Sequence, residues 1–483
     1  MASYPGFLGP ASAGQSYMAD HEVCRNWYLE KNESPNAPQP YALLPTPGVT
    51  RIASVSQAPI RGVFAQHGRA FFVAGFAFYE LLYDSVTEAW STTNRGTVNA
   101  DGNPVTISAN GDAGDQLWIT SGGVGYVYDL TTNLLSAQGV GGTTVSMGGF
   151  LSARFVYLDA TTGAFYASAQ YDGTSWAGAM VAQSESGDPW RALVVTPDGL
   201  IHLLGEYSGE AWADQGASPF PFSKIAGAGI PYGIVSPFAW GVDTALSWIT
   251  NNPQGRGMVV RAAGYTPERI STHAIEDTLA PITDWSTVTA WKYQERGHSH
   301  FVLTLPTIDQ TVVFDATSGF WHTRDYWDVT TGTSRAYRPG CMMSAFGVTI
   351  VGDRVTGDLY TLASTVHTDV GGAAIRRVRQ PPRLSADQRR VTVHSLQVIL
   401  DAGLGLNTGQ GSDPQLMLTT SKDGGETWGN ERWASAGAQG DYATRVVWDR
   451  CGQARNRVDR FVATDPIPWR LVDCVVELTV GAH

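Results

Sequence analysis

The chain has 483 residues, a formal net charge of −12, 16% charged and 43% hydrophobic residues, with 54 Gly, 25 Pro and 16 Trp. That length is ample for a large buried core and for more than one domain, and the Gly- and Pro-punctuated, aromatic-rich composition excludes long helices and disorder. The acidic balance excludes a protein that grips nucleic acid through a basic surface, since such binding is carried by phosphate neutralisation.

Residues 1–60 read as a Pro-rich, irregular N-terminal arm. The MASYPGFLGP start lacks the basic region and apolar run of a signal peptide, so synthesis in the cytosol, without secretion by the general route, is expected. From Asn26 to Val49 repeated prolines argue against regular helix and central strand. Trp27, Tyr28, Tyr41, Leu43 and Leu44 need burial, which suits an arm laid over this subunit or a neighbour.

Residues 61–365 repeat one theme: an alternating apolar run, a short polar turn, and a second run. Copies start at Arg69, Gln116, Ala153, Leu193, His300 and Phe346, with a less regular one at Gly257–Ile270 and none clear over 213–256. Such period-two runs with Gly, Asp, Asn and Thr at the turns predict hairpins. A smaller signature recurs in them, an apolar residue followed by Asp and small polar residues, at Asp84, Asp129, Asp159 and Asp315. An Asp there serves backbone amides of its own turn, a structural role and not a catalytic one. Repeats of about 40–50 residues, each a short antiparallel sheet, predict a β-propeller of about six or seven blades; a sandwich or irregular β array is the competing fold.

Residues 366–390 read as an Arg-rich linker, carrying Arg376, Arg377, Arg379, Arg383, Arg389 and Arg390 around Pro381-Pro382. In a chain of net −12 these suit salt bridging between subunits better than DNA phosphate. Residues 391–483 alternate well and form a C-terminal β-sandwich-like unit. The whole is therefore all-β. The expected subunit or partner contacts are Trp27, Tyr28, Tyr41 and those six arginines.

Catalytic signals are weak. Ser421, Asp423, Gly425, Thr427 and Trp428 fit S-x-D-x-G-x-T-W, the Asp-box pattern that also occurs in sialidases. Asp-box chemistry is local: Asp takes turn amides, Gly adopts a conformation other residues resist, and Trp covers the hairpin. No spacing selects the arginine trio or nucleophile pair a sialidase needs. His298 and His300 share one side of a strand, but no third metal ligand is indicated. Cys24, Cys341, Cys451 and Cys474 have no CxxC spacing and read as free, mostly buried thiols. No P-loop, nucleophile elbow or dinucleotide fingerprint occurs. No stretch has the ~18 apolar residues of a membrane span. No cofactor, metal or catalytic residue is assigned.

Across its length the chain resembles the packaged-DNA stabilisation proteins, or tail hub and nozzle proteins, of short-tailed bacteriophages. The resemblance runs nearly end to end. It is carried by CRNWYLEKNESPNAPQPYALLPTPGV, YVYDLTTN, AQYDGTSW, GYTPERISTHAIE, LSADQRRVTVHSLQV, SDPQLMLTTSKDGGETWGNERW, TRVVWDRCGQARNRV and VATDPIPWRLV, in that order. It implies a virion tail protein without enzymatic activity. It also implies a homohexameric ring that extends the DNA channel below the portal and its adaptor, contacts a tail needle, fibres or spikes, retains packaged DNA, and passes it at ejection without sequence-specific binding. The alternatives are a virion-associated glycosidase, suggested by the Asp box, or a glycan-binding module using Trp27, Trp176, Trp190, Trp212 and Trp285.

Overall fold

The structure is a computed structural model that describes residues 2–481 apart from 15, 17, 19, 20, 113, 141, 142, 160 and 252–256. Strands dominate; among the described residues the α-helix is the short His273–Leu279, capped by the Thr272 side chain, which accepts from the Ile275 amide.

The predicted hairpins are blades. Consecutive antiparallel strands give separate four-stranded sheets over 60–97, 106–138, 145–182, 192–230 and 240–269. A sixth separate sheet joins three strands of 339–363 to Gly48–Ser54, with Thr361 facing Thr50 and Leu362 facing Val49. The N-terminal side of the repeat region thus closes the ring. Between the fifth sheet and this closing one lies a further four-stranded run, Thr289–Glu295, His298–Leu305, Gln310–Asp315 and Phe320–Thr323, which continues into a larger ten-stranded sheet. The ring therefore has six free-standing blades and one fused to its neighbour.

Blade strands are buried on both faces because each sheet packs on two neighbours. In Arg69–Ala74, Phe71 and Val73 join a cluster with Leu117, Ile119 and Tyr128 of the next blade. The alternate Phe72 and Ala74 join Met343, Ile350 and Leu359 of the closing blade. Equivalent clusters repeat around the ring, for example Trp118 with Phe155 and Tyr157, and Phe165 with Trp190, Trp212 and Trp248. The apolar alternation thus encodes two interfaces per strand, not one wet and one dry face. The signature aspartates do what was expected. The Val86 amide donates to Asp84 at 2.9 Å, the Thr131 and Thr132 amides to Asp129 at 2.8 and 2.7 Å, and the Thr161 amide to Asp159 at 2.9 Å. The 213–256 gap in the repeat is also stranded: it holds Phe222–Ile230, Trp240–Val242 and Leu246–Asn251. Pro219 and Pro221 before these strands, and Pro231 and Pro237 between the first two, interrupt its alternation.

The N-terminal stretch differs from the irregular arm expected. His21–Arg25, Trp27–Lys31 and Tyr41–Pro45 are strands, and the prolines at 35, 38 and 40 fall in the connection between the last two. Proline here delimits strands without preventing them. The Arg-rich linker differs too: Arg377–Gln380 is a central strand, hydrogen-bonded between His21–Arg25 and Val458–Ala463. One sheet of the sandwich runs Trp27–Lys31, Tyr41–Pro45, Leu471–Val480, Val391–Leu400 and Val446–Asp449. The facing sheet, continuous with the fused blade, runs His21–Arg25, Arg377–Gln380, Val458–Ala463, Gln415–Ser421 and Arg432–Ser435. Tyr4, Phe7, Cys24, Trp27, Leu43, Leu396, Trp448, Phe461 and Trp469 form its shared core. N-terminal and C-terminal segments thus build one unit.

Candidate functional site

The first strands of the blades surround an axial space. One cavity of about 460 Å³ lies against Arg61, Val105, Trp240, Lys292, Cys341 and Arg354. Another of about 580 Å³ lies against Phe64, Val105, Asp112, Phe150, Val195 and Trp240. The cations in the first are already engaged. Arg61 donates to the carbonyls of Gly75 and Asn103 at 2.9 and 2.8 Å, to the Ser121 hydroxyl at 2.9 Å, and to Asp101 at 2.8 Å. Lys292 reaches Asp243 at 2.9 Å and the Ala245 carbonyl at 3.0 Å, and Arg354 donates to the carbonyls of Tyr337 and Ala336. Arg61 and Lys292 thereby tie neighbouring blades, and Arg354 holds the chain that enters the closing blade. Among the described residues neither cavity is lined by two carboxylates, the pair that glycoside hydrolysis needs. A third cavity, of about 460 Å³, has Glu22, Asp309 and Asp325 in its wall. All three are held as structural anions, Glu22 by Arg379, Asp309 by Arg335 at 3.0 Å, and Asp325 by Arg25 at 3.2 Å.

The expected contact residues separate into two groups. Trp27, Tyr28, Arg377 and Arg379 are buried inside the chain, which corrects their assignment as surfaces for a neighbour. Trp27 fills the sandwich core and donates its indole N–H to the Trp469 carbonyl at 3.2 Å. Tyr28 packs edge-on against His298 and His300 of the fused blade, at centroid distances of 4.9 and 5.5 Å. Arg379 clasps the first residues of the chain: its guanidinium donates to the carbonyls of Gly6 at 2.5 Å, Phe7 at 2.6 Å, Pro10 at 3.2 Å and Val23 at 3.3 Å, and pairs with Glu22. Arg377 is wholly buried, and desolvation pulls its pKa down to about 9. The second group reaches the surface. Tyr41 is half-buried against Phe320. Arg376 and Arg383 are also half-buried, Arg383 donating to Asn456 at 2.7 Å. Arg389 and Arg390 are exposed.

The Asp box is a closed local turn. Ser421 donates to Asp423 at 2.6 Å and accepts the Gly425 amide at 2.8 Å, while the Thr427 amide and hydroxyl donate to Asp423 at 3.0 and 2.5 Å. Those hydrogen bonds hold the Asp423 carboxyl far below its usual range. Gly424 and Gly425 adopt φ of +86° and +112°, where a side chain is strained. Trp428 turns outward to cover the Arg460 guanidinium at 3.7 Å.

His298 has a structural partner set. Its two ring nitrogens lie 2.6 Å from Asp315 of the same blade and 2.6 Å from Glu30 of the N-terminal hairpin. Burial lowers its pKa, but the hydrogen bonds to Asp315 and Glu30 outweigh that and raise it. Burial drives His300 the other way, to about 3. Among the described residues no group of three or more His, Cys, Asp or Glu is arranged to hold a metal ion, and the cysteines are free thiols. Among the described residues no helix is long and apolar enough to cross a membrane.

Several tying residues gave no sequence signal. Asn26, in the left-handed region at φ 56°, donates to the Arg376 carbonyl at 2.9 Å and accepts the Asp325 amide at 3.1 Å. Buried Arg324 donates to the hydroxyls of Tyr293 and Tyr337 and to the Pro47 carbonyl, joining the fused and closing blades to the chain before them. Arg457 and Asp459, both fully buried, form a bidentate pair at 2.8 and 2.7 Å under Tyr4.

Solved structures that the chain resembles include a mitotic checkpoint complex (11% identity, 69% of this chain and 95% of that one, TM-score 0.43). Another is a streptogramin B lyase (8%, 66% and 98%, 0.42), and another is YCF48 bound to D1 peptide (13%, 72% and 100%, 0.40). Likenesses this loose carry no functional argument. No curated protein matches the sequence. Family models are decisive. Residues 22–367 match the propeller of bacteriophage P22 Gp10 and residues 376–479 match its β-sandwich, in the chain order of the blades and the C-terminal sandwich strands, although the structure adds the strands of 21–45 to the sandwich. The two matches together cover both units of the structure, and the chain belongs to the bacteriophage P22 Gp10 family of structural phage tail proteins.

Proposed function

We propose that this chain is the subunit of a phage tail nozzle: six copies form a ring that prolongs the DNA channel below the portal and its adaptor, retain the packaged genome, and pass it at ejection. The observation that carries this reading is the family match over both units, propeller and sandwich together. A tail needle, fibres or spikes attach around and below the ring. Synthesis takes place in the host cytoplasm, before incorporation into the virion tail.

The channel is not the propeller axis. Axial cavities of 460 and 580 Å³ are of small-molecule size. Duplex DNA, whose major groove alone is about 12 Å wide, needs a far larger bore. The conduit therefore lies between copies, on a heterologous interface that closes a ring. A net charge of −12 suits a wall past which DNA slides without being gripped. At about 0.15 M salt this repulsion reaches about 8 Å, so it acts on DNA close to the wall. Tyr41, Arg383, Arg389 and Arg390 remain the surface candidates for contacts with neighbours. The test is deletion of the gene from the phage. Particles should lose DNA and end in a truncated tail; full heads on a complete tail tube would overturn the proposal.

A further inference from the structure

The outward face of the ten-stranded sheet carries a hollow of about 110 Å³ lined by Val23, Arg25, Arg376, Val378 and Arg460. Three guanidiniums surround an apolar floor. Two have partners: Arg25 pairs with Asp325 at 3.2 Å and donates to Ser334 at 2.9 Å, and Arg460 donates to Gln380 beneath the Trp428 ring. The Arg376 guanidinium stacks 5.0 Å over Trp327 and makes no hydrogen bond or ion pair with any described residue. Asp325 and the exposed Glu431 are the carboxylates whose charge reaches it, and Arg25 opposes them. Like charges held together around one hollow call for an anion. A half-buried guanidinium stacked on an indole is pre-organised to take a carboxylate through two parallel N–H groups.

The surroundings say what brings that anion. A row in register across the sheet, Trp433, Met417, Val462, Val378 and Arg25, runs from the open edge strand Arg432–Ser435 to the hollow. Trp433 is 62% exposed at its outer end. Exposed Trp beside clustered Arg is the composition of a protein interface. The hollow admits the end of one acidic side chain. The chain itself carries 44 Asp and Glu against 32 Lys and Arg, so its own copies are a complementary source.

We propose that the Arg25–Arg376–Arg460 hollow is a carboxylate socket that receives an Asp or Glu side chain from a second copy of this chain, with Trp433 packing beside it. The inference rests on the ring reading, because a second copy must adjoin this face. The test is sedimentation of the purified full-length protein through the micromolar range, for the wild type, Arg376→Lys and Arg376→Glu, with thermal unfolding to verify the fold. Self-association of Arg376→Glu is expected to weaken by about tenfold or more, with Arg376→Lys between it and wild type. Raising salt from about 0.05 M to about 0.5 M should weaken the wild type more than Arg376→Glu. A wild type that stays monomeric, or a correctly folded Arg376→Glu that associates as the wild type does, would overturn the socket. The socket is likewise overturned if Arg376→Glu loses only binding to a DNA fragment, which would make the hollow a phosphate site. Imaging of virion tails separates the two readings. Rings intact in Arg376→Glu particles sink the socket alone, whereas wild-type particles without a ring sink the reading on which it rests.

Discussion

The propeller and the sandwich are both β structures, but the chain builds them in opposite ways. In the blades nearly every paired strand is the next one along, as in 60–97 or 106–138; among the described residues the exceptions are Gly48–Ser54 in the closing blade and His21–Arg25, which meets the last strand of the fused blade. In the sandwich, Ala2 faces Val476, Cys24 faces Arg379, and Leu43 faces Leu471. Local hairpins need local cues: alternation, a turn Asp, a Gly. Distant strands need specific fasteners, and these are buried and polar: Arg379 on the first loop, Asn26 at the joint, Arg457 with Asp459 under Tyr4. The lesson is that this tail protein keeps its terminal segments by hydrogen-bonded clasps, and its ring chiefly by repeated apolar contact, with Arg61, Lys292 and Arg324 adding hydrogen bonds between neighbouring parts.

Truncating one indole in each unit breaks the comparison most strongly. Trp27→Ala and Trp118→Ala each remove a fully buried ring, from the sandwich core and from between two blades. Each is expected to cost about 3–5 kcal/mol. Only Trp27→Ala should free the N-terminal segment, read as rapid proteolytic cleavage before residue 48 with the blades still protected. Equal protection of that segment in both variants would show that the sandwich is no more dependent on its distant strands than the ring is.

Arg379→Met sharpens the same point with a conservative change of volume. It takes a charged donor from the Gly6, Phe7, Pro10 and Val23 carbonyls and ends the Arg379 pairing with Glu22. The expected loss is about 3 kcal/mol, because carbonyls packed around a buried guanidinium lose their charge-assisted hydrogen bonds. Chemical denaturation should resolve it as an earlier sandwich transition. A midpoint unchanged from wild type would demote Arg379 to a spectator.

In the ring, Glu80 is a clasp that stays local. It is 2% exposed and accepts from Arg69 at 2.7 and 2.9 Å and from Arg95 at 2.8 Å, all within its own blade. Glu80→Gln keeps the shape and loses the charge, and is expected to cost about 1–2 kcal/mol. Its effect should stay in the propeller transition. A shift of the sandwich transition instead would contradict the division between the two units.

These differences also explain what could be read in advance. The blades were legible because both their faces are apolar and their turns carry Asp, so Phe71, Phe72 and Asp84 announce themselves within one hairpin. The Asp box was legible for the same reason: Ser421, Asp423 and Thr427 bond within one turn. The N-terminal strands were hidden because prolines mark where strands end as readily as where none form, and nothing local in Trp27–Lys31 names Leu471–Val480 as part of its sheet. The arginine segment misled because charge suggests surface. Arg377 and Arg379 alternate with Val378 on a strand whose inner face is lined with backbone carbonyls of the first loop, and no pattern within 366–390 reveals that loop. Arg376, one residue before the strand, kept part of the exposure that the segment as a whole was expected to have.

The smallest expected effect lies where the two units meet. His298 of the fused blade bridges Asp315 and the hairpin's Glu30, with Tyr28, His300, His322 and Arg324 packed around. Burial opposes charging His298, but the hydrogen bonds to Asp315 and Glu30 prevail and hold its pKa above 6.5. Asp315 is correspondingly drawn down to about 2: burial pushes it up, and the His298 hydrogen bond and other partners pull it down further. The sign follows from linkage. A histidine whose folded pKa is raised contributes its full stability below the unfolded value of 6.5, and that contribution is lost as pH rises through the folded value. His300 and His322, held neutral by burial, act in the opposite sense, since protonation would favour unfolding only at lower pH, below the same 6.5. Wild-type melting temperature should therefore fall as pH rises from 6.5 through the folded value of His298. In Glu30→Gln that decline should flatten, because one of the two carboxylates that raise His298 is gone while His300 and His322 are unchanged. A decline of equal steepness in Glu30→Gln would assign the pH dependence to Asp315 alone, and the hairpin would then be fastened to the ring by Tyr28 packing and not by charge.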